Sequence, residues 1–442
     1  MSPLELGALI GVVPLAVLAT GIPIAFGLGL VAVGFLVAVD GWGSLGIVAD
    51  TFFGGLADFT LVSIPMFVLM GAAVASSPAG KDLYEALERW LYRVPGGLVI
   101  SNIGACSIFA ALSGSSPATC AAIGKMGIPE MRQRGYPDGL ATGAIAAGGT
   151  LGILIPPSVT MIVYGISTET SIGRLFMAGL LPGLMLTCLF MAWSLFAAWR
   201  GGYRFNLKDG GYSLLEKLVV LPRVLPFLLI IAGVLYVLYG GVATPSEAAG
   251  VGALFCVLLV VVVYGLFLRN WSPLRVWEIL GDSMRESVMI LMIIGASALF
   301  SYTLSSLFVT QTIAEWIAGL DVNRWVLMAM INVFLLVCGF FLPPVAVILM
   351  TAPILLPIVT SAGFDPYWFA VVFTINMEIG LITPPVGLNL YVINGIVPDV
   401  SLATILKGAL PFMLAMVLGI VLLCVFPSIA TWLPDTIMGP GI

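Results

Sequence analysis

From Leu4 onward the chain is a nearly unbroken succession of apolar stretches, each about as long as a bilayer is thick, with short polar breaks between them. A helix needs roughly 20 mostly apolar residues to cross the hydrocarbon core. Backbone polar groups inside lipid must be satisfied within the segment, so such a chain folds as a bundle of membrane-spanning helices. Composition agrees: of 442 residues 60% are hydrophobic and 9% charged, too little polar surface to coat a water-soluble globule. The expectation is an all-α polytopic membrane protein with no room for a soluble domain. The first stretch lacks a basic leader and is read as a span, not as a cleaved signal peptide.

Ten spans are predicted, at about 4–19, 22–39, 60–77, 139–164, 175–199, 218–240, 247–268, 286–309, 367–394 and 403–432. Two further apolar regions, 96–124 and 325–361, carry a small-residue or proline knot near the middle: Ser113-Gly114-Ser115-Ser116-Pro117 in one, Phe341-Leu342-Pro343-Pro344 in the other. Each half is too short to cross, which makes both re-entrant hairpins. With the N-terminus outside, every Lys and Arg except Arg174 and Arg324 falls on the cytoplasmic side, as the positive-inside rule requires. Both termini are then periplasmic, in a bacterial inner membrane.

The sequence also repeats internally. Gly152-Ile153-Leu154-Ile155-Pro156-Pro157 returns as Gly380-Leu381-Ile382-Thr383-Pro384-Pro385. The hairpin knots recur at nearly the same interval, as do two amphipathic stretches, Lys81–Arg93 and Gln311–Arg324. Five spans precede residue 218, so the second copy enters from the opposite side. Residues 1–199 and 218–442 are therefore read as inverted repeats, each of five transmembrane helices and one re-entrant helical hairpin, joined by a polar, Gly-rich cytoplasmic linker at 200–217. The amphipathic stretches carry the aromatic anchors Trp90, Tyr92 and Trp316, and either lie along the membrane interface or are ordinary helix ends.

Histidine is absent, which removes the commonest metal ligand and the usual neutral-pH proton relay. The six cysteines sit inside apolar stretches without metal-ligand spacing and read as core residues. No cofactor and no nucleic-acid partner is indicated. Inverted repeats with broken helices characterise secondary transporters, whose substrates and ions bind where the helices are interrupted. At each Pro-Pro pair two amide donors are missing and the preceding turn is pushed out of helical space, which frees carbonyl oxygens. In the first repeat, the hydroxyls of Ser113 and Ser115 with the carbonyls of Gly152, Ile155 and Pro157 make a candidate cation shell. In the second, the set is Thr383 with the carbonyls of Gly339 and Gly380. Neutral oxygen cages suit sodium far better than zinc or copper. Each motif taken singly also reads as a proline kink or a small-residue helix contact; the inverted duplication favours the ion sites.

Half-helix N-termini after the breaks attract an anion, with Ser116, Thr119, Thr150, Ser158 and Asn389 as candidate substrate contacts. No basic residue lies at the expected midplane, so a carboxylate would be held by amides, hydroxyls and bound cations, which favours symport with sodium over exchange through an arginine. Glu378, inside the apolar run 371–390, either supports the second break or carries a proton, or caps freed amides without titrating. Glu247, after Thr244-Pro245-Ser246, is read as a helix-start acid.

The runs Leu112-Ser113-Gly114-Ser115-Ser116-Pro117-Ala118-Thr119, Gly149-Thr150-Leu151-Gly152-Ile153-Leu154-Ile155-Pro156-Pro157-Ser158, Ala243-Thr244-Pro245-Ser246-Glu247 and Asn376-Met377-Glu378-Ile379-Gly380-Leu381-Ile382-Thr383-Pro384-Pro385-Val386-Gly387-Leu388-Asn389 occur in this order along essentially the whole chain. In them the chain resembles the large membrane subunit of tripartite ATP-independent periplasmic (TRAP) transporters. The resemblance implies an elevator mechanism: a transport domain holding both hairpins slides against a scaffold, carrying a small organic acid with sodium. It implies two partners as well, a small four-helix membrane subunit, here a separate chain, and a soluble periplasmic binding protein. It places the first sodium site on Ser113, Ser115, Gly152, Ile155 and Pro157, and the second on Gly339, Gly380 and Thr383. Pro343 departs from the family, whose members often carry an acid there. Competing readings are a self-sufficient sodium–carboxylate symporter of the same superfamily, an ion channel and a membrane enzyme. The lack of a pore-lining charge ring speaks against the channel; the lack of histidine and of paired carboxylates in a span speaks against the enzyme.

Overall fold

The computed structural model describes residues 3–92, 94, 96–201, 211–262, 273–309, 312 and 323–439. Every regular element among them is helical. The first half contains α1 (Pro3–Ala19), α2 (Ile24–Asp40), α3 (Gly46–Gly54), α4 (Ser63–Ala75), α5 (Ala79–Leu91), α6 (Gly97–Ser113), α7 (Ser116–Gln133), α8 (Asp138–Thr150), α9 (Val159–Ser167) and α10 (Ile172–Arg200). The second contains α11 (Leu214–Tyr239), α12 (Pro245–Leu259), α13 (Pro273–Ser306), α14 (Arg324–Phe341), α15 (Pro344–Ser361), α16 (Pro366–Leu381), α17 (Leu388–Ile396), α18 (Leu402–Val425) and α19 (Ser428–Met438).

Among the described residues, seven helices are long and apolar enough to cross a membrane alone, and an eighth is reached if the bent pair Trp42–Leu56 and Phe59–Ala75 is one span. This differs from ten for identifiable reasons. Helices α1 and α2 have 17 residues each, just under a full crossing, and two predicted spans are split into half-helices. The arms α14 and α15, at 18 residues each, are long enough to cross, so length does not define that hairpin. The turn between them, Leu342-Pro343, lines through Pro343 the same cavity as the turn between α6 and α7.

Several boundaries are corrected. The segment expected at 403–432 ends at Val425, and α19 is a separate short helix. Helix α13 begins at Pro273 instead of 286 and runs for 34 residues, because its first turns are too polar to register as apolar. Helix α3 was not expected; its nine residues are too few for a span. The span at 247–268 is helical to Leu259, and its residues 263–268 lie outside the described residues. So do Arg93, residues 202–210 of the linker at 200–217 and nearly all of the amphipathic stretch 311–324, Trp316 included.

The other amphipathic stretch is a helix in its own right, α5. One face is buried through Leu83, Tyr84 and Ala86, while Trp90 is exposed. It is tied to α11 by Arg223, 3.8 Å from Asp82 and 3.6 Å from Glu85, and by Arg89, which donates to the Glu216 carbonyl at 2.9 Å. Glu247 sits at a helix start as read: its carboxylate accepts from the Thr244 N–H at 2.8 Å in a capping box that opens α12.

Ion pairs at the two ends of the molecule fix the direction of the broken helices. At one end Arg132, near the end of α7, meets Asp138 at the start of α8 (2.9 Å) and Asp399 in the turn after α17 (2.5 Å), while Arg134 pairs with Glu88 of α5. The Arg132 hydrogen bond holds the exposed Asp399 carboxyl below the usual carboxylate range. At the other end Arg174, just after α9, donates to the carbonyls of Met438 and Gly439 and lies over the Tyr367 ring at the start of α16. Helix α8 thus starts where α17 finishes, and α9 finishes where α16 starts. The α8–α9 and α16–α17 pairs run in opposite directions.

Candidate functional site

Each of the four interruptions has a local chemical cause. Helix α6 stops at Gly114, which takes the left-handed conformation (φ 58°); Ser115 is extended, and Pro117 stands in the first turn of α7, where its missing N–H costs nothing. Helix α14 stops at extended Leu342, and Pro343-Pro344 opens α15. After α8 the chain makes one tight turn at Leu151–Ile153 and resumes as α9 at Ser158, whose hydroxyl donates to the Ile153 carbonyl (2.6 Å) and accepts from the Met161 N–H (3.3 Å). After α16 it resumes at Gly387, again left-handed (φ 50°). The peptide bonds Pro156-Pro157 and Pro384-Pro385 are both cis.

The first hairpin tip and the first break touch backbone to backbone. A methyl group on Gly152 would lie 2.7 Å from the Ser115 carbonyl oxygen, and one on Gly114 would lie 3.0 Å from that of Pro157. Only glycine permits this approach. Among the described residues no hydrogen bond reaches the carbonyls of Gly152, Ile155 or Pro157. Beside them the Ser113 hydroxyl is 2.8 Å from that of Thr119 and 3.3 Å from the Ser115 carbonyl, while Thr119 donates to that same carbonyl at 2.9 Å. The Ser115 hydroxyl takes no partner among the described residues and faces the central cavity. Of the five predicted first-site residues, Ser113, Ser115, Gly152 and Pro157 are therefore brought together, while the Ile155 side chain packs against Gly183 of α10.

At the second break, a methyl on Gly380 would lie 2.5 Å from the Gly339 carbonyl oxygen. Pro343 stands where that carbonyl would have found its helical donor, and Pro344 frees the Phe340 carbonyl, which the Val386 N–H takes up at 3.2 Å. The Thr383 hydroxyl donates to Ile379 (2.6 Å) and touches the sulfur of Met413. Two residues before Gly380, Glu378 is fully buried, and neither carboxylate oxygen has a partner among the described residues.

Both hairpin tips and both breaks open on one cavity of about 220 Å³. The first residues of α7, α9, α15 and α17 all line it, so four helix N-termini, each worth roughly half a positive charge, converge there. Of the candidate substrate contacts, Ser116 lines the cavity, while the others are spent nearby. Thr119 holds Ser113, and Ser158 caps α9. The Thr150 hydroxyl donates to Ala147 (2.7 Å) and faces Met416 of α18. Asn389 donates to the Ser116 hydroxyl (2.8 Å) and to the Ala146 carbonyl (3.1 Å), joining the two halves. The rest of the lining was missed in the sequence. It comes from α2, α4 and α13 and includes Gly71, Ala72, Met289 and Glu286. Glu286 stands directly after Arg285, so it reads as the polar edge of a span.

The chain matches the family described as Tripartite ATP-independent periplasmic transporter, DctM component, over residues 12–429. It is 37% identical to the C4-dicarboxylate TRAP transporter large permease protein DctM of Pseudomonas aeruginosa, over 85% of this chain and 86% of that protein. It is 32% identical to the sialic acid TRAP transporter large permease protein SiaM of Vibrio cholerae, over 97% and 98%, and 34% identical to the isethionate TRAP transporter permease protein DctMQ of Oleidesulfovibrio alaskensis, over 92% of this chain and 63% of that one. Among solved structures it is similar in fold to the Alcanivorax borkumensis YdaH transporter, with a TM-score of 0.64 and 17% identity over 92% of this chain and 91% of that one.

Proposed function

The chain belongs to the DctM family of tripartite ATP-independent periplasmic transporters, as an integral inner-membrane large permease and not an enzyme, and from that premise we propose that it couples sodium entry to the uptake of a small organic acid. The observation that carries this reading is the first break, where the carbonyls of Gly152 and Pro157, which take no hydrogen bond among the described residues, stand by the hairpin tip that bears the Ser113 and Ser115 hydroxyls. Carbonyl oxygens at membrane depth are tolerated only where something satisfies them, and a neutral oxygen shell of this kind fits sodium. Gly339, Gly380 and Thr383 form a sparser second site. The acid's carboxylate sits in the shared cavity against the helix N-termini and Ser116, with bound sodium completing its charge balance.

Two sodium ions moving down a tenfold gradient and 100 mV release about 7 kcal/mol, enough to concentrate a neutral or monoanionic solute many fold. For a dianion the electrical part cancels and the chemical part alone remains.

The opposed α8–α9 and α16–α17 pairs support two inverted repeats, residues 1–199 and 218–442. The bonds Asn389–Ser116, Val386–Phe340 and Arg132–Asp399 tie hairpins and broken helices into one block. In the proposed elevator, this block moves against α2, α4 and α13. Both termini are periplasmic in this reading. The partners are a four-helix membrane subunit and a periplasmic binding protein; the DctMQ relative, of which this chain covers 63%, suits such a pairing.

Uptake into proteoliposomes with both partners added, using C4-dicarboxylates, 2-oxoacids and sugar acids, tests the reading. At least one acid accumulates only with an inward sodium gradient and only with the binding protein present. Accumulation that survives collapse of the sodium gradient contradicts it.

A further inference from the structure

The cavity that the four helix N-termini share is completed by residues of α2, α4 and α13. This part of the lining is apolar through Ile24, Val68 and Ile293, and among the described residues its one charged side chain is Glu286. Glu286 lies well inside the 34-residue α13, not at its end. Its neighbour Arg285 pairs with Asp282 at 3.7 Å; Glu286, exposed like both of them, has no cation paired with it among the described residues. The one cavity therefore carries both kinds of charge: partial positive charge at four helix N-termini and a single carboxylate. An accessible carboxylate on the cavity lining is open to a hydrogen-bond donor or a positive charge on whatever enters.

We propose that Glu286 is a specificity-determining residue that selects small acids whose far end carries a hydrogen-bond donor, an ammonium or a hydroxyl, and disfavours acids with a second carboxylate. The proposal rests on the reading of this cavity as the organic-acid site. A carboxylate at the helix N-termini satisfies their partial positive charge, and a donor at the other end satisfies Glu286. A second carboxylate there meets a like charge, and such juxtaposition is how binding sites reject wrong partners. At about 220 Å³, the cavity is below the ~300–1,000 Å³ of sites for drug-sized ligands, so both ends of a molecule of a few carbons lie close to its walls.

Three four-carbon acids that differ only at the far end are suitable probes: 4-aminobutyrate, 4-hydroxybutyrate and succinate. The full-length protein carries Met289→Cys as a reporter on the cavity wall, with Cys188 and Cys424, the native thiols that are not buried, changed to serine. The slowing of maleimide labelling by each acid is titrated in sodium. With Glu286 present, 4-aminobutyrate protects at about a tenfold lower concentration than succinate, with 4-hydroxybutyrate between them. Glu286→Gln brings the three within about twofold of one another, and Glu286→Asp keeps the order. The same order and spacing in Glu286→Gln as in the parent would overturn the assignment while leaving the cavity as the acid site. Protection by none of the acids in any variant would remove both.

Discussion

At the first break the hairpin tip brings hydroxyl groups, and at the second it brings prolines. Ser113, Ser115 and Thr119 gather around the freed carbonyls beside Gly152. The equivalent tip, Pro343-Pro344, offers none, and Thr383 donates its hydroxyl to Ile379. Both breaks bring glycine against a neighbouring backbone, so the shape is duplicated while the chemistry is not. Duplicated shape belongs to the fold; unequal chemistry is why the proposed sodium reading puts the stronger site in the first half.

The largest effects come from filling the glycine contacts. Gly152→Ala and Gly380→Ala each push a methyl against backbone that cannot rotate away, and overpacking of this kind costs about 1–3 kcal/mol. Sodium-dependent uptake falls roughly 5- to 150-fold in both, but only Gly152→Ala raises the sodium concentration for half-maximal uptake steeply. An equal rise in both variants would make the two breaks equivalent. Next comes Asn389→Ala, which leaves Ser116 and the Ala146 carbonyl without their buried donor, a loss of about 1–3 kcal/mol. Thermal unfolding of the purified protein shifts downward, while half-saturating sodium stays constant because no proposed ligand has been removed. Smallest are the hydroxyl deletions. Ser113→Ala, at about 1 kcal/mol, raises half-saturating sodium about fivefold, whereas Thr383→Val changes it less than about twofold. The reverse order would move the principal cation site to the second half.

Much of this was legible in the sequence because proline and glycine act locally. Pro156-Pro157, Pro384-Pro385 and the two hairpin knots disrupt a helix wherever they fall, so the interruptions could be placed without coordinates. The free Gly152 carbonyl was readable for the same reason, since Pro156 lacks the amide that would reach it, as Pro157 lacks the one for Ile153. What could not be read depends on which helices pack together. Nothing in the sequence shows Asn389 reaching Ser116 across the two halves, or Thr150 turning toward Met416. Glu286 was hidden by its neighbour Arg285, since a charge pair at the edge of an apolar run looks like a boundary and not like the wall of a cavity. The short helix α3 and the break between α18 and α19 were lost for a related reason: periodicity does not register where hydrophobicity is nearly uniform.

Radiosodium binding to purified protein, parent against Ser115→Ala, tests the first cage most directly, because the Ser115 hydroxyl has no partner among the described residues and its loss breaks no described hydrogen bond. The account predicts sodium affinity about fivefold weaker with unchanged thermal stability in sodium-free buffer. Identical sodium binding in the two proteins would contradict it.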